Sequence, residues 1–182
     1  MQRWLTTSLL ALLVASCVTT PKPQPPPEFG LRLSPASLGR ELSLSQRITV
    51  VRGDDRKTFD AQLEADANSV RVAAVAMGHT VAQLNWDGKS LEKKVSTHVP
   101  PAVTAERILS DVQLAWWPAE AIRAGLPPGY TLEETANSRV VTEQGAPFAS
   151  VTYEGTAPAW KFVRLTQQRY GYVLEIESVE AP

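Results

Sequence analysis

Phe59-Asp60-Ala61-Gln62-Leu63-Glu64-Ala65-Asp66 alternates apolar and polar residues without a break. Successive side chains of a β-strand point to opposite faces. This octet therefore sets Phe59, Ala61, Leu63 and Ala65 against a core and turns Asp60, Gln62, Glu64 and Asp66 to water. One packed face and one wet face is the signature of an antiparallel sheet. The stretch before it follows the same rule. Leu42, Leu44, Gln46, Ile48 and Val50 alternate with Ser43, Ser45, Arg47 and Thr49, and Gly53-Asp54-Asp55 supplies the turn between the two. Downstream, Asn68-Ser69 turns the chain into residues 70–77, where both faces are apolar or small. Gly78 interrupts, residues 80–86 run to a second tight signal at Asp87-Gly88, and residues 90–97 form a polar edge strand. The reading is a meander of about five antiparallel strands.

Val99-Pro100-Pro101 ends the meander, and the period then becomes helical. Thr104 is the expected N-cap, and Glu106 suits the positive end of the helix dipole. Ile108, Leu109, Val112, Ala115 and Trp116 form one apolar stripe. Pro118 stops that helix and starts another over residues 119–124, with Gly125 as its C-terminal cap. After Leu126-Pro127-Pro128-Gly129, strand patterns return at residues 130–135, 139–143, 148–153, 160–167 and 172–178. The expected fold is mainly β, in the α+β class. It is a curved antiparallel sheet forming an unclosed barrel of about ten strands, lidded by one or two helices that bury the Trp116 stripe.

The N-terminus carries a different message. Arg3 is followed by an uncharged, mostly apolar run over residues 5–14, and Val14-Ala15-Ser16 precede Cys17. A run of about ten residues is half of what a membrane-spanning helix needs. It has the plan of a secretory signal. The pattern resembles the lipobox of bacterial lipoproteins, which implies removal of residues 1–16 and a lipid thioether on Cys17. The other reading is an ordinary signal peptide with an incidental cysteine. Val18 stands where an aspartate would imply inner-membrane retention, so the resemblance implies the outer membrane. Pro21, Pro23, Pro25, Pro26 and Pro27 favour extended polyproline geometry, and seven residues of it reach about 20 Å. Residues 17–40 are read as lipidated cysteine and tether and residues 41–182 as the domain, with residues 29–39, including a short turn over Pro35 to Gly39, open as an earlier start of the fold.

Of the 182 residues, 18 are Lys or Arg and 19 are Asp or Glu, a balance that excludes a basic nucleic-acid-binding surface. Cys17 is the lone cysteine, so the chain forms no internal disulfide. His79 and His98 have no partner at metal-ligand spacing, so no metal or cofactor is expected. Gly-x-Ser-x-Gly, phosphate-loop and His-Glu-x-x-His motifs are all missing, which leaves an enzyme no named chemistry.

The order strands, helices, strands, from Leu42 to Ser178, resembles the LolA/LolB superfamily, periplasmic carriers and outer-membrane receptors of lipoproteins. Two runs carry the resemblance beyond element order. Val75-Ala76-Met77-Gly78-His79-Thr80-Val81-Ala82-Gln83-Leu84 is similar to that family's strand, Leu-Gly loop, strand segment. Ala124-Gly125-Leu126-Pro127-Pro128-Gly129-Tyr130 is similar to the Leu-Gly-Leu-Pro stretch leaving its lid helices. The likeness is stronger to the LolB side, whose members are lipoproteins, and a smaller family of uncharacterised bacterial lipoproteins is closer still. Two departures stand out. A proline-rich stretch takes the place of the superfamily's N-terminal helix, and Met77 replaces the loop leucine.

The resemblance implies a cavity for acyl chains and a loop at Met77 and Gly78 that contacts lipid or membrane. Packed at a strand end, Met77 needs no such role. The candidate cavity lining is Val75, Leu84, Trp86, Ile108, Val112, Trp116, Trp160 and Phe162, all of which also serve as plain core in an open barrel. Two functions stay open. One is an outer-membrane-anchored lipoprotein whose barrel binds the acyl chains of a lipid or lipoprotein cargo and assists its transfer. The other is a non-catalytic lipoprotein that scaffolds envelope protein partners around a filled core.

Overall fold

The computed structural model describes residues 29–97, 103–157 and 159–181. The signal segment, Cys17, the proline run, His98 and the Val99-Pro100-Pro101 break lie outside the described residues. Ten strands are present: β1 Leu42–Arg52, β2 Asp55–Ala65, β3 Val70–Ala76, β4 His79–Trp86, β5 Leu91–Val95, β6 Tyr130–Glu134, β7 Ser138–Glu143, β8 Ala146–Thr156, β9 Ala159–Gln167 and β10 Tyr172–Glu180. Helices α1, Ala105–Trp116, and α2, Ala119–Gly125, interrupt them. All ten strands join one antiparallel sheet in the order β5-β4-β3-β2-β1-β10-β9-β8-β7-β6. The first and last strands of the domain meet at its centre, Leu44 opposite Glu180 and Val51 opposite Val173. The edges are β5 and β6, which do not pair with each other, so the barrel is unclosed, as the order of strands and helices led one to expect.

The period-two pattern fixes the faces. On β1, Leu42, Leu44 and Gln46 are buried, and their partners Ala65, Leu63 and Ala61 on β2 are buried with them. The rows continue through Val70, Val72 and Ala74 on β3 to Trp86, Leu84 and Ala82 on β4. A one-residue slip would expose every member of these rows, so the register is strongly set. Two hairpin ends are closed by Asx turns. Asp66 Oδ1 accepts from the Asn68 and Ser69 amides, and Asp87 Oδ1 accepts from the Lys89 and Ser90 amides. Those backbone bonds hold both carboxyls below the usual carboxylate range.

Helix α1 begins where its cap directs: Thr104 Oγ1 accepts from the Arg107 amide at 3.2 Å. Its C-terminal carbonyls, which no helical amide can satisfy, are taken up by the sheet. Tyr153 Oη donates to Ala115 O at 2.9 Å and Arg139 Nη1 donates to Leu114 O at 3.0 Å.

One boundary moves. Residues up to 40 were read as tether, yet Phe29, Leu31, Leu33 and Leu38 are buried in the main core. They form an extended strap across the concave side, ended by a 3₁₀ turn at Pro35–Leu38. The strap joins no strand. Instead its backbone is bonded by α1: Leu31 N donates to Ser110 Oγ, Leu33 N to Gln113 Oε1, and Gln113 Nε2 donates back to Leu33 O. Its alternation, Phe29, Leu31 and Leu33 against Gly30, Arg32 and Ser34, is the strand rule read one segment earlier.

Candidate functional site: the mouth of the concave face

The strand directions bring four hairpin turns to one rim: Gly53-Asp54, Met77-Gly78, Gln144-Gly145 and the turn before Tyr172. Below that rim the large side chains of the Leu44–Leu63–Val72–Leu84 row give way to the row Gln46–Ala61–Ala74–Ala82. Buried Ala61, Ala74 and Ala82 form a floor, and half-buried Ile48, Phe59, Val81 and Ile108 pack on it, Ile48 and Ile108 touching the main core as well. Ile48 faces Phe59 on one side and Ile176 on the other. This is an apolar mouth between the sheet and the first turns of α1.

Met77 stands on the rim beside that mouth, 96 % exposed. With φ of 47° at Met77 and 76° at Gly78, the two form a tight hairpin turn with positive φ at both central positions. A flexible apolar side chain is thereby held away from its own domain on a left-handed backbone. The alternative of an ordinary residue packed at a strand end does not hold.

The other candidates divide. Leu84, Trp86 and Trp116 are buried in the main core, with Ile108, Val112 and Trp160 partly buried against it. Trp160 stacks on Tyr153, ring centroids 4.9 Å apart. Val75 and Phe162 do not line the concave side. Val75 is opposite Asp60 on the outer face and 37 % exposed, because the unbroken alternation of β3 turns Val70, Val72 and Ala74 inward. Phe162 is in register with Glu154 and Glu177, while its neighbour Val163 is fully buried inward.

The lidded half of the concave side is filled. Trp117 is fully buried, and its Nε1 donates to Ser37 Oγ at 3.1 Å. Phe29 sits between Tyr130 and Phe148, ring centroids at 4.9 and 4.5 Å. Two surface depressions lie elsewhere and have charged walls. One, about 450 Å³, is lined by Arg40, Glu41, Glu64, Asp66 and Arg71; the other, about 510 Å³, lies on the convex face among Gln62, Gln83, Glu92 and Lys94. Neither is an apolar chamber.

A polar cluster at the mouth escaped the sequence reading. Asp111, 7 % exposed, accepts from Gln167 Nε2 at Oδ1 and from Tyr172 Oη at Oδ2, both at 2.5 Å. Desolvation pushes its carboxyl up to about 6 against those two donors and the Arg107 charge, which act the other way. Arg107 lies 3.7 Å over the Tyr170 ring. The available signal was an acid inside the apolar stripe, three residues from Ile108 and four from Ala115.

Among the described residues no helix is long and apolar enough to cross a membrane. No group of three His, Cys, Asp or Glu side chains among them is placed to hold a metal.

A family described as "Protein of unknown function (DUF3261)" matches residues 43–180, the span from β1 to β10. The chain belongs to the DUF3261 family. That span takes in the whole sheet and both helices and leaves the strap outside. Among proteins of curated function, none matches this DUF3261 member. Among solved structures it is similar to a LolA superfamily protein of Nitrosomonas europaea, with 11 % identity and a TM-score of 0.41 over 82 % of this chain and 90 % of that one. It is also similar to a DUF1329 family protein of Desulfovibrio piger, with 10 % identity and a TM-score of 0.40 over 80 % and 87 %.

Proposed function

We propose that this DUF3261 protein is a non-catalytic outer-membrane lipoprotein that takes an acyl chain of a lipid or lipoprotein into the mouth of its concave face and assists its transfer at the membrane. The observation that carries the reading is the pairing of Met77 with the mouth. A wholly exposed apolar tip and a half-buried apolar cluster share one rim. Burying apolar surface drives both contacts, at roughly 25 cal/mol per Å² removed from water. The Ala61, Ala74 and Ala82 floor offers only methyl groups beneath Ile48, Phe59 and Ile108, which an entering chain would displace, and the polar cluster at Asp111 would meet a headgroup. Phe29 lies between Tyr130 and Phe148, next to the Gln144-Gly145 turn of the same rim.

A second reading has its own support. The strap, Trp86, Trp116 and Trp117 fill the lidded half, as a scaffold with a packed core requires. Mass spectrometry of the purified Cys17→Ser chain separates the two. Co-purifying acyl lipid, lost in Ile108→Glu, supports carriage. A chain free of lipid favours the scaffold.

A further inference from the structure

Helix α1 rests on β4 and β5 at one side and on β9 at the other. Between those supports, β1 turns Arg52, Val50, Ile48 and Gln46 in succession to the concave face. Val50 and Ile48 are half-buried, and so are Leu174 opposite Val50 and Phe59 opposite Ile48. The apolar strip stops at Gln46, which is buried and donates from Nε2 to Ser178 Oγ at 3.0 Å. At about 3.4 Å per residue, Arg52 to Gln46 spans roughly 20 Å. The strip therefore has a cation at its open end and a satisfied polar pair at its closed end.

The charge at the open end is unmatched. Arg52 is exposed and directly opposite Asp55, yet Asp55 Oδ2 turns to Lys57 Nζ at 3.3 Å. Two cations thus share one carboxylate on this face. Asp54, the other acid of the hairpin, stands in the turn past the strand ends. Two further basic side chains on the concave face, Lys93 and Arg139, pair with Glu106 and Glu134. One step beyond the Val51–Val173 pair, the β10 neighbour of Arg52 is Tyr172, whose hydroxyl is committed to Asp111. Among the described residues, no hydrogen bond or ion pair holds the Arg52 guanidinium.

We propose that Arg52 selects the head of the acyl ligand: an oxyanion, carboxylate or phosphate, on a chain laid along the Val50–Ile48 strip. The proposal rests on the acyl-binding reading and adds the class of head to it. A planar guanidinium presents its fork of N–H donors to two oxygens of such a head at once, which a neutral hydroxyl cannot match. Lys57, already engaged by Asp55, adds a point charge beside it.

Calorimetric titration of the Cys17→Ser chain with decanol, decanoate and decyl phosphate, each below its micelle concentration, and with inorganic phosphate tests this. Both anionic amphiphiles bind about tenfold more tightly than decanol, the factor that a hydrogen bond to a charged group supplies. Arg52→Gln brings them down to the affinity of the alcohol, and leaves alcohol binding and the melting temperature unchanged. Arg52→Lys, which keeps a charge without the fork, restores part of the preference. Failure of all three amphiphiles to bind overturns the acyl-binding reading and the proposal with it. Equal binding of the three, or a preference that survives Arg52→Gln, overturns the proposal alone. So does inorganic phosphate binding as tightly as decyl phosphate, which assigns Arg52 to a free anion.

Discussion

The indole Nε1 of Trp86 donates to the carbonyl oxygen of Leu33 at 2.8 Å, and that oxygen also accepts from Gln113 Nε2 at 3.0 Å. Strand β4 and helix α1 thus grip the strap at one atom. Leu33 itself fills the space left by Gly125 at the end of α2, where an added Cβ would come within 2.2 Å of Leu33 Cδ2.

That fit predicts a change of sign. Gly125→Ala alone destabilises the domain, since overpacking a filled site costs about 1–3 kcal/mol. Leu33→Ala costs about 2–5 kcal/mol through the cavity it leaves. In the Leu33→Ala background, Gly125→Ala stabilises, because it fills space and removes a helical glycine worth about 1 kcal/mol. Urea unfolding of the four chains checks this. Additive effects would show that Leu33 and Gly125 do not share the site.

Met77 carries backbone strain with no packing to offset it. Met77→Gly relieves the positive φ and raises stability by up to about 1 kcal/mol, whereas Met77→Glu leaves stability within about 0.5 kcal/mol. Both lower the binding of the Cys17→Ser chain to phospholipid vesicles in a flotation assay. Unchanged flotation in both variants would remove the tip from the account.

Asp111 sets a pH dependence of unusual sign for a carboxylate. Its folded value of about 6 lies above the ordinary 3.8, so it stabilises the fold below pH 4 and loses that contribution as pH rises through 6. At full burial the swing is of the order of 3 kcal/mol. Asp66 and Asp87, with lowered values, act oppositely: their contribution is present above pH 4 and lost in stronger acid. Thermal unfolding between pH 4.5 and 7.5 therefore falls in the native chain and is flatter in Asp111→Asn. Parallel curves would locate the dependence elsewhere.

Thr104 tests the start of the lid. Removing its oxygen in Thr104→Ala orphans the Arg107 amide and costs about 1 kcal/mol by denaturant unfolding. Thr104→Ser retains the acceptor and most of the stability.

The sheet was legible because each strand obeys one rule. The Phe59–Ala65 octet has its burial written in its alternation, and Thr104 and Pro118 mark helix limits by chemistry local to them. What escaped was set by distant partners. The strap carries the same alternation as a strand, but nothing in it names a partner, since its bonds go to Ser110 and Gln113, some eighty residues away. Val75 and Phe162 were misplaced because each stands beside an inward neighbour, Ala74 and Val163, and where adjacent residues are both apolar or small the composition does not say which of them faces the core. Asp111 reads as a solvated helix residue until Gln167 and Tyr172 are seen against it.

Titration of a fluorescent fatty acid into the Cys17→Ser chain, beside Ile108→Glu, reads acyl-chain binding at the mouth. Saturable binding by the first chain, displaced by unlabelled fatty acid, is expected, with its loss in the second while the far-ultraviolet spectrum stays the same. Absence of saturable binding by a folded Cys17→Ser chain, or equal binding by Ile108→Glu, would contradict it.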